Sequence, residues 1–562
     1  MKNRRLCGVS GFPQSMIAAA IAIGWTTGAN AFEFETGNPD LSIRWDNTVR
    51  YNLGVRMEGQ DSRILNNPAY DESDAKFGKH DIVTNRLDFL TELDANYRGK
   101  FGARLSASAW YDHAYRDRSV TSPAPGGVPT SYFNDRYNST VNRYVHGPSG
   151  ELLDAFLWTN FNAGDVPINL KVGRHTNIWG EGLLLGQHAI SYSQSPVDGV
   201  KAVTSPGIET KEVFLPVGQI SAKAQVTDNL SVAGQYFYEW ESTRAPHSGT
   251  YLSGSDTTFE VDRLGLARNF AANRLPSVRP KDRGNFGISA KYNLEAIEST
   301  LGLYFRKFDD YTPWTGIEFR GATGPFRFSY PKDTKLIGVS IARNIGGVSV
   351  GAELSYRKDA QLQATSTGVS PLDSEGPRGN TWHAVLNGVY LLPSTPVWDT
   401  GSLVAELAYS RLDKVTSHPE LYKAVGYNCV RTGTGSGGVA AAPGSKWDGC
   451  STKDFLGVAI NFTPQYLNVL PSWNLDIPMT LNYGLHGNAP TGGGGFEKAL
   501  TWSIGARMIY RQDHEFSLRY SDSRVSTIYN AAGTAVTGGN ALGSGIGATD
   551  RGWLVFTYKT GF

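Results

Sequence analysis

Apolar and polar side chains alternate along long stretches of this chain. In the segment 41–58 most odd positions are apolar, from Leu41 to Met57, and the even positions are mainly polar or charged. Because successive side chains of a strand point to opposite faces, the pattern predicts a strand with one apolar and one polar face. The run is far longer than the usual strand of about 5–6 residues in a soluble sheet. A tilted strand that crosses a membrane needs about 9–11 residues, so the pattern favours a membrane barrel.

The connections between such strands alternate in length. Short turns are predicted near 98–100, 227–229, 343–347 and 511–514. Short turns at one end and long loops at the other are typical of outer-membrane barrels, in which the short turns are periplasmic. The long polar stretches lie near 58–86, 113–151, 175–218, 241–284, 309–334, 357–380, 412–453 and 524–550.

These patterns predict an all-β, transmembrane antiparallel barrel of about 18 strands, with 16 as the second choice. An even number of strands returns both ends of the barrel to the periplasmic side. Barrels of about 16–18 strands are wide enough to leave an aqueous channel. The terminal residue, Phe562, ends an alternating last strand and is similar to the closing strand of outer-membrane barrels.

The first 31 residues have the composition of a secretory signal peptide. Lys2, Arg4 and Arg5 precede an apolar stretch that ends near Trp25, and Ala29-Asn30-Ala31 fits a cleavage site. No apolar run long enough for a membrane-spanning helix follows, which excludes a helical membrane protein. We therefore expect a single exported domain, residues 32–562, in the outer membrane of a Gram-negative bacterium.

The charge of the chain argues against nucleic acid as a partner. The sequence has 53 basic and 52 acidic side chains, and the leader holds three of the basic ones. A nearly neutral exported protein has no broad electrostatic attraction for nucleic acid. The expected partners are instead outer-membrane lipid and a small-molecule solute.

The ionised residues on the strands predict what the interior contains. An Arg or Lys facing lipid at mid-membrane costs about 2–4 kcal/mol, so Arg44, Arg50 and Arg104 are expected to face a wet lumen. Glu353, Arg357 and Arg507 lie on the polar faces of their strands and are further pore-lining candidates.

The segment Lys171–Gln187 differs from the other connections. It contains Leu183-Leu184-Leu185, and each leucine costs roughly 1.5–3 kcal/mol if left exposed rather than buried. We therefore expect the loop 175–218 to fold into the barrel. In one interpretation Arg174, Trp179 and Glu181 form a constriction that gates the pore, since charges in a pore set its selectivity. In the other, an Arg174–Glu181 ion pair only stiffens the wall.

Aromatic side chains on the strands allow two interpretations. They could form a ligand cage, but barrels place aromatic girdles at both membrane interfaces, which we expect for most of them. The residues concerned are Trp45, Tyr51, Trp240, Tyr356, Trp382, Tyr390, Tyr409, Trp502 and Tyr510.

Two cysteines, Cys429 and Cys450, flank a Gly-rich segment, whereas Cys7 belongs to the leader. In an oxidising compartment the pair is expected to form a disulfide, with two free thiols as the alternative.

Motifs for catalysis are absent from the sequence. Phosphate-loop, zinc-protease and hydrolase-elbow patterns do not occur after the leader, and the ten histidines lack metal-ligand spacing. We therefore expect no enzyme, metal or cofactor. A serine hydrolase built on His175 with Ser191 or Ser193 is the weakest alternative, because such sites are recognised by geometry and not by sequence.

Two parts of the sequence resemble the DUF1302 family of proteobacterial outer-membrane proteins. One is the first strand, Leu41-Ser42-Ile43-Arg44-Trp45-Asp46-Asn47-Thr48. The other is the segment Lys171-Val172-Gly173-Arg174, which is followed by Ile178-Trp179-Gly180-Glu181. The resemblance covers essentially the whole exported chain. It implies an exported barrel associated with handling hydrophobic compounds beside a periplasmic partner, and it supplies no catalytic residues.

The favoured function is a passive outer-membrane channel for small, hydrophobic or aromatic solutes. The alternative is a scaffold that docks a periplasmic partner of an envelope transport system, and a lipid hydrolase is a distant third.

Overall fold

The computed structural model describes residues 32–257, 260–321, 324–366, 374–435, 439–541 and 545–562. The predicted signal peptide, residues 1–31, lies outside the described residues. Eighteen antiparallel strands form the wall when the interrupted β15 is counted once and the two-residue strand Phe32–Glu33 is left out. They are β1 (Leu41–Arg56), β2 (Ile82–Tyr97), β3 (Phe101–Asp112), β4 (Ser149–Ala163), β5 (Val166–His175), β6 (Val217–Gln225), β7 (Leu230–Phe237), β8 (Phe286–Leu294), β9 (Ser299–Phe308), β10 (Thr334–Ile345), β11 (Val348–Gln361), β12 (Arg378–Leu392), β13 (Thr400–Ser417), β14 (Asp454–Leu470), β15 (Trp473–Asp476 and Met479–His486), β16 (Leu500–Tyr510), β17 (His514–Arg524) and β18 (Trp553–Gly561).

The sheet is closed, because β1 pairs with β18. Thr48 lies opposite Gly561 at one end of this pairing and Arg56 opposite Trp553 at the other. The prediction of a transmembrane antiparallel barrel with 18 strands is confirmed. Closure satisfies the backbone groups of both terminal strands, so the sheet has no free edge to expose to lipid.

Connection length separates the two ends of the barrel. The short-turn end carries the connections 98–100, 164–165, 226–229, 295–298, 346–347, 393–399, 471–472 and 511–513. The other end carries the long loops, and one of them, 487–499, is absent from the sequence prediction. The long loops span 57–81, 113–148, 176–216, 238–285, 309–333, 362–377, 418–453, 487–499 and 525–552.

The two faces of the wall have opposite polarity, as the alternation predicts. Large apolar side chains are exposed on the outer face, whereas Arg50, Arg86, Arg306 and Arg357 are fully buried inside. The outer belt includes Leu93, Leu105, Leu157, Ile288, Ile337, Leu354, Leu386, Ile504 and Leu518. Such a surface is stable only in an apolar solvent, which is why the exposed apolar band indicates a membrane-spanning wall.

Strand β15 is interrupted where the chain reads Ile477-Pro478. Proline lacks the N–H that the ladder requires, so pairing stops there and resumes at Met479. The N–H of Ile477 still donates to the carbonyl of Pro464 on β14, at 3.0 Å, which keeps the two halves in line.

The long loops pack together as a cap over their end of the barrel. Tyr132 and Tyr251 are fully buried in this cap, and the cluster around them includes Trp553 and Val555 of β18. Cys429 and Cys450 form a disulfide within the loop 418–453. Most aromatic residues of the predicted girdle lie on the strands, but Trp240 packs with Tyr311 and Tyr330 in the loops.

The remaining elements are short and lie mainly in the loops. Among the described residues, no helix is long and apolar enough to span a membrane. The helices are α1 (Ser62–Leu65), α2 (Asp71–Ala75), α3 (Ser139–Val141), α4 (Gly199–Thr204) and α5 (Thr210–Val213), with short 3-10 turns at His113–Tyr115, Phe133–Asp135, Glu295–Ile297, Pro419–Leu421, Lys446–Asp448 and Ile546–Ala548, a π turn at Asn142–His146, and short strands at Arg263–Ala267, Phe270–Asn273, Glu318–Phe319, Phe326–Arg327, Thr527–Tyr529 and Val536–Gly539.

Candidate constriction site

The loop 176–216, here called the inward segment, packs against side chains that face the barrel interior. Trp179 lies against Gly287 of β8, where an added Cβ would meet the indole ring. Its ring also lies 6.4 Å from that of Tyr304 on β9, in a cluster with Ile190 and Leu336. Burying this apolar surface brings the start of the segment into the lumen.

Two glutamates of the wall bind the backbone of the inward segment. Glu353 of β11 accepts hydrogen bonds from the N–H groups of Glu181, Gly182 and Ile190, the last at 2.7 Å. Glu406 of β13 accepts from three successive N–H groups, those of residues 183–185. Backbone donors that point into the lumen are thereby satisfied, and bonds to a charged acceptor are the stronger kind.

Two arginines bind carbonyl groups of the same stretch. Arg306 of β9 donates to the carbonyls of Ile190 and Tyr192, at 2.8 and 2.7 Å. Arg357 of β11 donates to the carbonyl of Ala189 at 3.0 Å. Carboxylates of the wall thus bind backbone N–H groups, and guanidinium groups of the wall bind backbone carbonyls. These bonds fix the first half of the segment independently of most of its side chains.

The second half of the segment is held by ion pairs instead. Arg50 of β1 pairs with Glu212 of α5 at 3.0 Å, and both side chains are almost fully buried. Lys201 of α4 pairs with Glu151 of β4. Lys211 pairs with Glu92 of β2. The hydroxyl of Ser205 adds a bond to Asp88, at 2.6 Å.

Glu209 lies between two lysines at this second anchor. Lys559 of β18 is 3.0 Å from one carboxylate oxygen of Glu209, and Lys211 is 2.9 Å from the other. Burial raises the pKa of Glu209, but the two lysines outweigh it and lower that pKa to about 2. The carboxylate therefore stays ionised at neutral pH.

His188 ties the segment to a further loop. Its Nε2 lies 2.8 Å from the carbonyl of Gly494, and its Nδ1 lies 3.3 Å from Nδ1 of His383 on β12. Burial lowers the pKa of His188 to about 4, so the ring is neutral at neutral pH. A neutral ring can donate to the Gly494 carbonyl without bringing a charge into the interior.

Open space remains beside the segment. A cavity of about 340 Å³ lies between α4 and the strands β15–β17, lined by Ala202, Val203, Thr480, Ser503 and Arg519 among others. A second cavity, of about 300 Å³, is lined by Trp179 and by inward residues of β5–β8. A third, of about 480 Å³, lies near the short-turn end.

Three of the sequence candidates lie toward the short-turn end, each beside an acid. Arg44 pairs with Asp46 at 2.8 Å, and both line the third cavity. Arg104 lines it too, bound to Glu92 and to Asp94, the latter at 3.1 Å. Arg507 pairs with Asp476 through Nε, at 3.0 Å.

Arg174 is placed differently from the sequence expectation. Arg174 lies two residues after Val172 on β5, so its side chain is on the same face of the strand as Val172, which is exposed on the outer face. Arg174 binds Glu239 instead of a lumen group. The alternative Arg174–Glu181 pair is also wrong, because the chain turns inward between them and Glu181 pairs with Lys291 at 3.2 Å.

The hydrolase alternative has no geometric support among the described residues. His175 binds Ser221 at 2.7 Å and the carbonyl of Gly173, and neither Ser191 nor Ser193 is its partner. Ser193 instead accepts from the N–H of Tyr311.

A family model described as a protein of unknown function, DUF1302, matches residues 12–562 of the chain. The chain belongs to the DUF1302 family. The family match covers nearly the whole sequence, in agreement with the resemblance carried by the first strand and the Gly-Arg to Trp-Gly-Glu segment. No curated protein matches this DUF1302 chain.

Solved structures similar to this DUF1302 protein include OccAB1 of Acinetobacter baumannii, at 11% identity and a TM-score of 0.40, covering 95% of this chain and 98% of that one. The outer membrane protein OpdK of Pseudomonas aeruginosa has 9% identity and a TM-score of 0.38, with 92% and 98% coverage. OccK2 of Pseudomonas aeruginosa, in complex with glucuronate, has 11% identity and a TM-score of 0.35, with 92% and 98% coverage.

Three residues of the DUF1302 protein that contact the inward segment or line a cavity beside it are missing from the sequence candidates. Glu406, Arg306 and Arg519 all lie at inward positions of alternating strands, so the pattern could have placed them in the lumen. Nothing local distinguishes them from other lumen charges, because their partners or cavities come from distant parts of the chain.

Proposed function

We propose that this protein is a passive outer-membrane channel for small solutes, narrowed by the inward segment. One observation carries the proposal: a segment anchored to opposite walls of a closed barrel still leaves cavities beside it. Glu353 and Glu406 hold it on one side and Arg50 on the other. A barrel of about 18 strands is wide enough to conduct once such a segment leaves part of the lumen open.

The outer surface supports the membrane location. Trp45, Trp382 and Ile504 are exposed on it, within an apolar belt that water would disfavour. By the usual orientation of such barrels the long loops are extracellular and the short turns periplasmic. We further propose that residues 1–31 are removed after Ala31, and mass spectrometry of the purified protein should then give Phe32 as the first residue.

The preference for hydrophobic or aromatic solutes rests on the three leucines of the segment. Leu185 packs with Ala189, Val385 and Ala408, but Leu183 remains 51% exposed. When an apolar part of a solute contacts an apolar side chain that is exposed beside a conducting path, both surfaces are removed from water, which is favourable.

Planar-bilayer and liposome-swelling measurements on the full-length exported protein test the proposal. We expect single-channel conductance and protein-dependent swelling that is faster with phenylalanine, which crosses lipid poorly, than with a sugar of similar size. A barrel that stays sealed under all salt and voltage conditions would contradict a channel. A sealed barrel that cross-links stoichiometrically to one periplasmic protein would instead support the scaffold alternative.

A further inference from the structure

Most inward-facing cations of the barrel already have partners. Arg50 and Arg104 bind carboxylates, whereas Arg306 and Arg357 bind carbonyls of the inward segment. Arg519 of β17 is different, since in the part of the chain that the structure describes its side chain has no hydrogen bond and no ion pair, and its Nε is buried without a partner. An unpaired guanidinium that is partly withdrawn from water lowers its free energy by binding an anion.

Arg519 lines the cavity of about 340 Å³ beside α4. Hydroxyl groups of Thr480, Ser503 and Ser521 lie on its own side of this cavity. Ala202 and Val203 of α4 also line the cavity and add apolar surface to it. The volume is at the lower end of the range of about 300–1,000 Å³ that is usual for small-molecule sites.

The other charged groups at this cavity are already bound. Asp522 pairs with Arg524 at 3.2 Å. Arg551 donates to the carbonyl of Tyr251 at 2.9 Å and lies 3.6 Å from Asp74. Arg519 is therefore the cation with capacity left for a ligand among the described residues of this cavity.

Cations without a carboxylate partner also line the second cavity, which Trp179 of the inward segment borders. Lys171 and Lys223 line the second cavity, and neither has a carboxylate partner within the described ranges. Lys291 lines the same cavity and is bound to Glu181. An anion that passes the segment thus meets positive charge at both cavities, an arrangement that sets selectivity in pores.

We propose that Arg519 binds the carboxylate of small organic acids and so makes the channel selective for anions with an apolar body. This inference rests on the proposed channel function. The planar guanidinium can donate two parallel hydrogen bonds to a carboxylate, and the hydroxyls of β15–β17 complete its polar surroundings. The apolar part of the solute lies against Ala202 and Val203 of α4.

Binding in detergent separates this inference from conduction. Benzoate is the probe and benzyl alcohol its uncharged counterpart, with binding followed by isothermal titration calorimetry. Arg519→Gln should weaken benzoate binding by about tenfold or more, since bonds to charged groups are among the stronger ones. Arg519→Lys should retain part of it, and the weak binding of benzyl alcohol should change in neither variant.

The matched control is Arg343→Gln. Arg343 shares the outward strand phase of Ile341 and Ile345 on β10, so the same charge is removed outside the lumen. Benzoate affinity that is equal in the wild type and in Arg519→Gln would overturn the inference, whether or not the barrel conducts. So would benzyl alcohol binding as tightly as benzoate.

Reversal potentials in a KCl gradient give the second readout. The wild type and the Arg343→Gln variant should prefer chloride over potassium, and Arg519→Gln should lower that preference several-fold. Conduction without a preference for anions would contradict the role of Arg519 while leaving the channel in place. A barrel that binds benzoate through Arg519 but never conducts would contradict the channel and leave the binding site.

Discussion

The two halves of the inward segment are held by different chemistry. Residues 179–193 are bound through backbone N–H and carbonyl groups, chiefly to Glu353, Glu406 and Arg306. Residues 198–212 are bound through their own side chains, chiefly Lys201 and Glu212. The first half is held mainly by charged groups of the wall that bind its backbone and by the packing of Trp179 and Ile190. The second half requires charge at both partners of its ion pairs. The variants below test this difference.

The largest effect is expected from Glu353→Ala combined with Glu406→Ala. Six backbone N–H groups would lose their acceptors, at roughly 1 kcal/mol each when lumen water replaces part of the interaction, or about 6 kcal/mol of docking free energy. The first half should leave the wall, and single-channel conductance should rise.

Glu515→Ala is the control for that double variant. Glu515 is an inward carboxylate near the short-turn end, 3.8 Å from Arg507, and it does not bind the inward segment. Its conductance should stay near that of the wild type. If the double variant also kept the wild-type conductance, the carboxylates would not be what holds the constriction.

Breaking the buried pair of the second half should come next in size. Arg50→Met leaves the buried carboxylate of Glu212 without its charged partner, which typically costs about 3–5 kcal/mol. Asp88 keeps its bond to Arg86, so the loss falls on the segment. Trypsin cleavage at Lys201 and Lys211 in the folded barrel measures the release.

The double variant Arg50→Met with Glu212→Met sharpens the comparison. Replacing both charges of a buried pair by apolar groups is often close to neutral, so protease resistance should return. No equivalent rescue by exchange of side chains exists in the first half, because such exchanges leave the backbone N–H groups in place. Cleavage as fast as in the single variant would show that the second half also depends on these charges for another reason.

A smaller effect is expected from Gly180→Ala. Gly180 has φ +98°, and an added Cβ would collide with Oε1 of Glu353. We expect a loss of about 2 kcal/mol of docking free energy from the strained backbone and the displaced carboxylate. In Gly186→Ala, where no atom lies within 4 Å of the added Cβ, docking should be unchanged. Equal hydrogen exchange of the segment in both variants would contradict this account.

The smallest effect is expected from Lys211→Gln, at less than about 1 kcal/mol, because Lys211 is 38% exposed and its ion pairs are screened by solvent.

The same site gives a pH dependence. The pKa of Glu209 is lowered to about 2, so its stabilising contribution is complete above the ordinary value near 4.5 and is lost as the pH falls toward 2. Open-channel noise recorded between pH 7 and pH 3 should rise below pH 4.5 and should do so less in the variant.

Much of the wall could be predicted from local pattern. The alternation in 41–58 gives β1 its two faces, and the turn at 98–100 lies where the sequence places it. The alternation fails to predict the face of a side chain where the strand is irregular. Arg174 is such a case, because it follows Gly173, which has a positive φ at the end of the strand. The pattern analysis also passed over the loop 487–499, which is shorter than the other long loops although its Gly- and Pro-containing sequence is typical of a loop.

The sequence by itself determined the barrel, its even strand number, its apolar exterior and the inward position of most charges, because these follow from a period of two and from the energy of a charge in lipid. The tertiary structure decided which of those charged groups bind the inward segment and which remain without a partner. Glu353, Glu406 and Arg519 are all charged residues at inward positions of alternating strands. Only closure of the sheet brings the two glutamates to residues 181–190 and leaves Arg519 beside α4. Contacts between residues so far apart in the chain leave no local periodicity to detect.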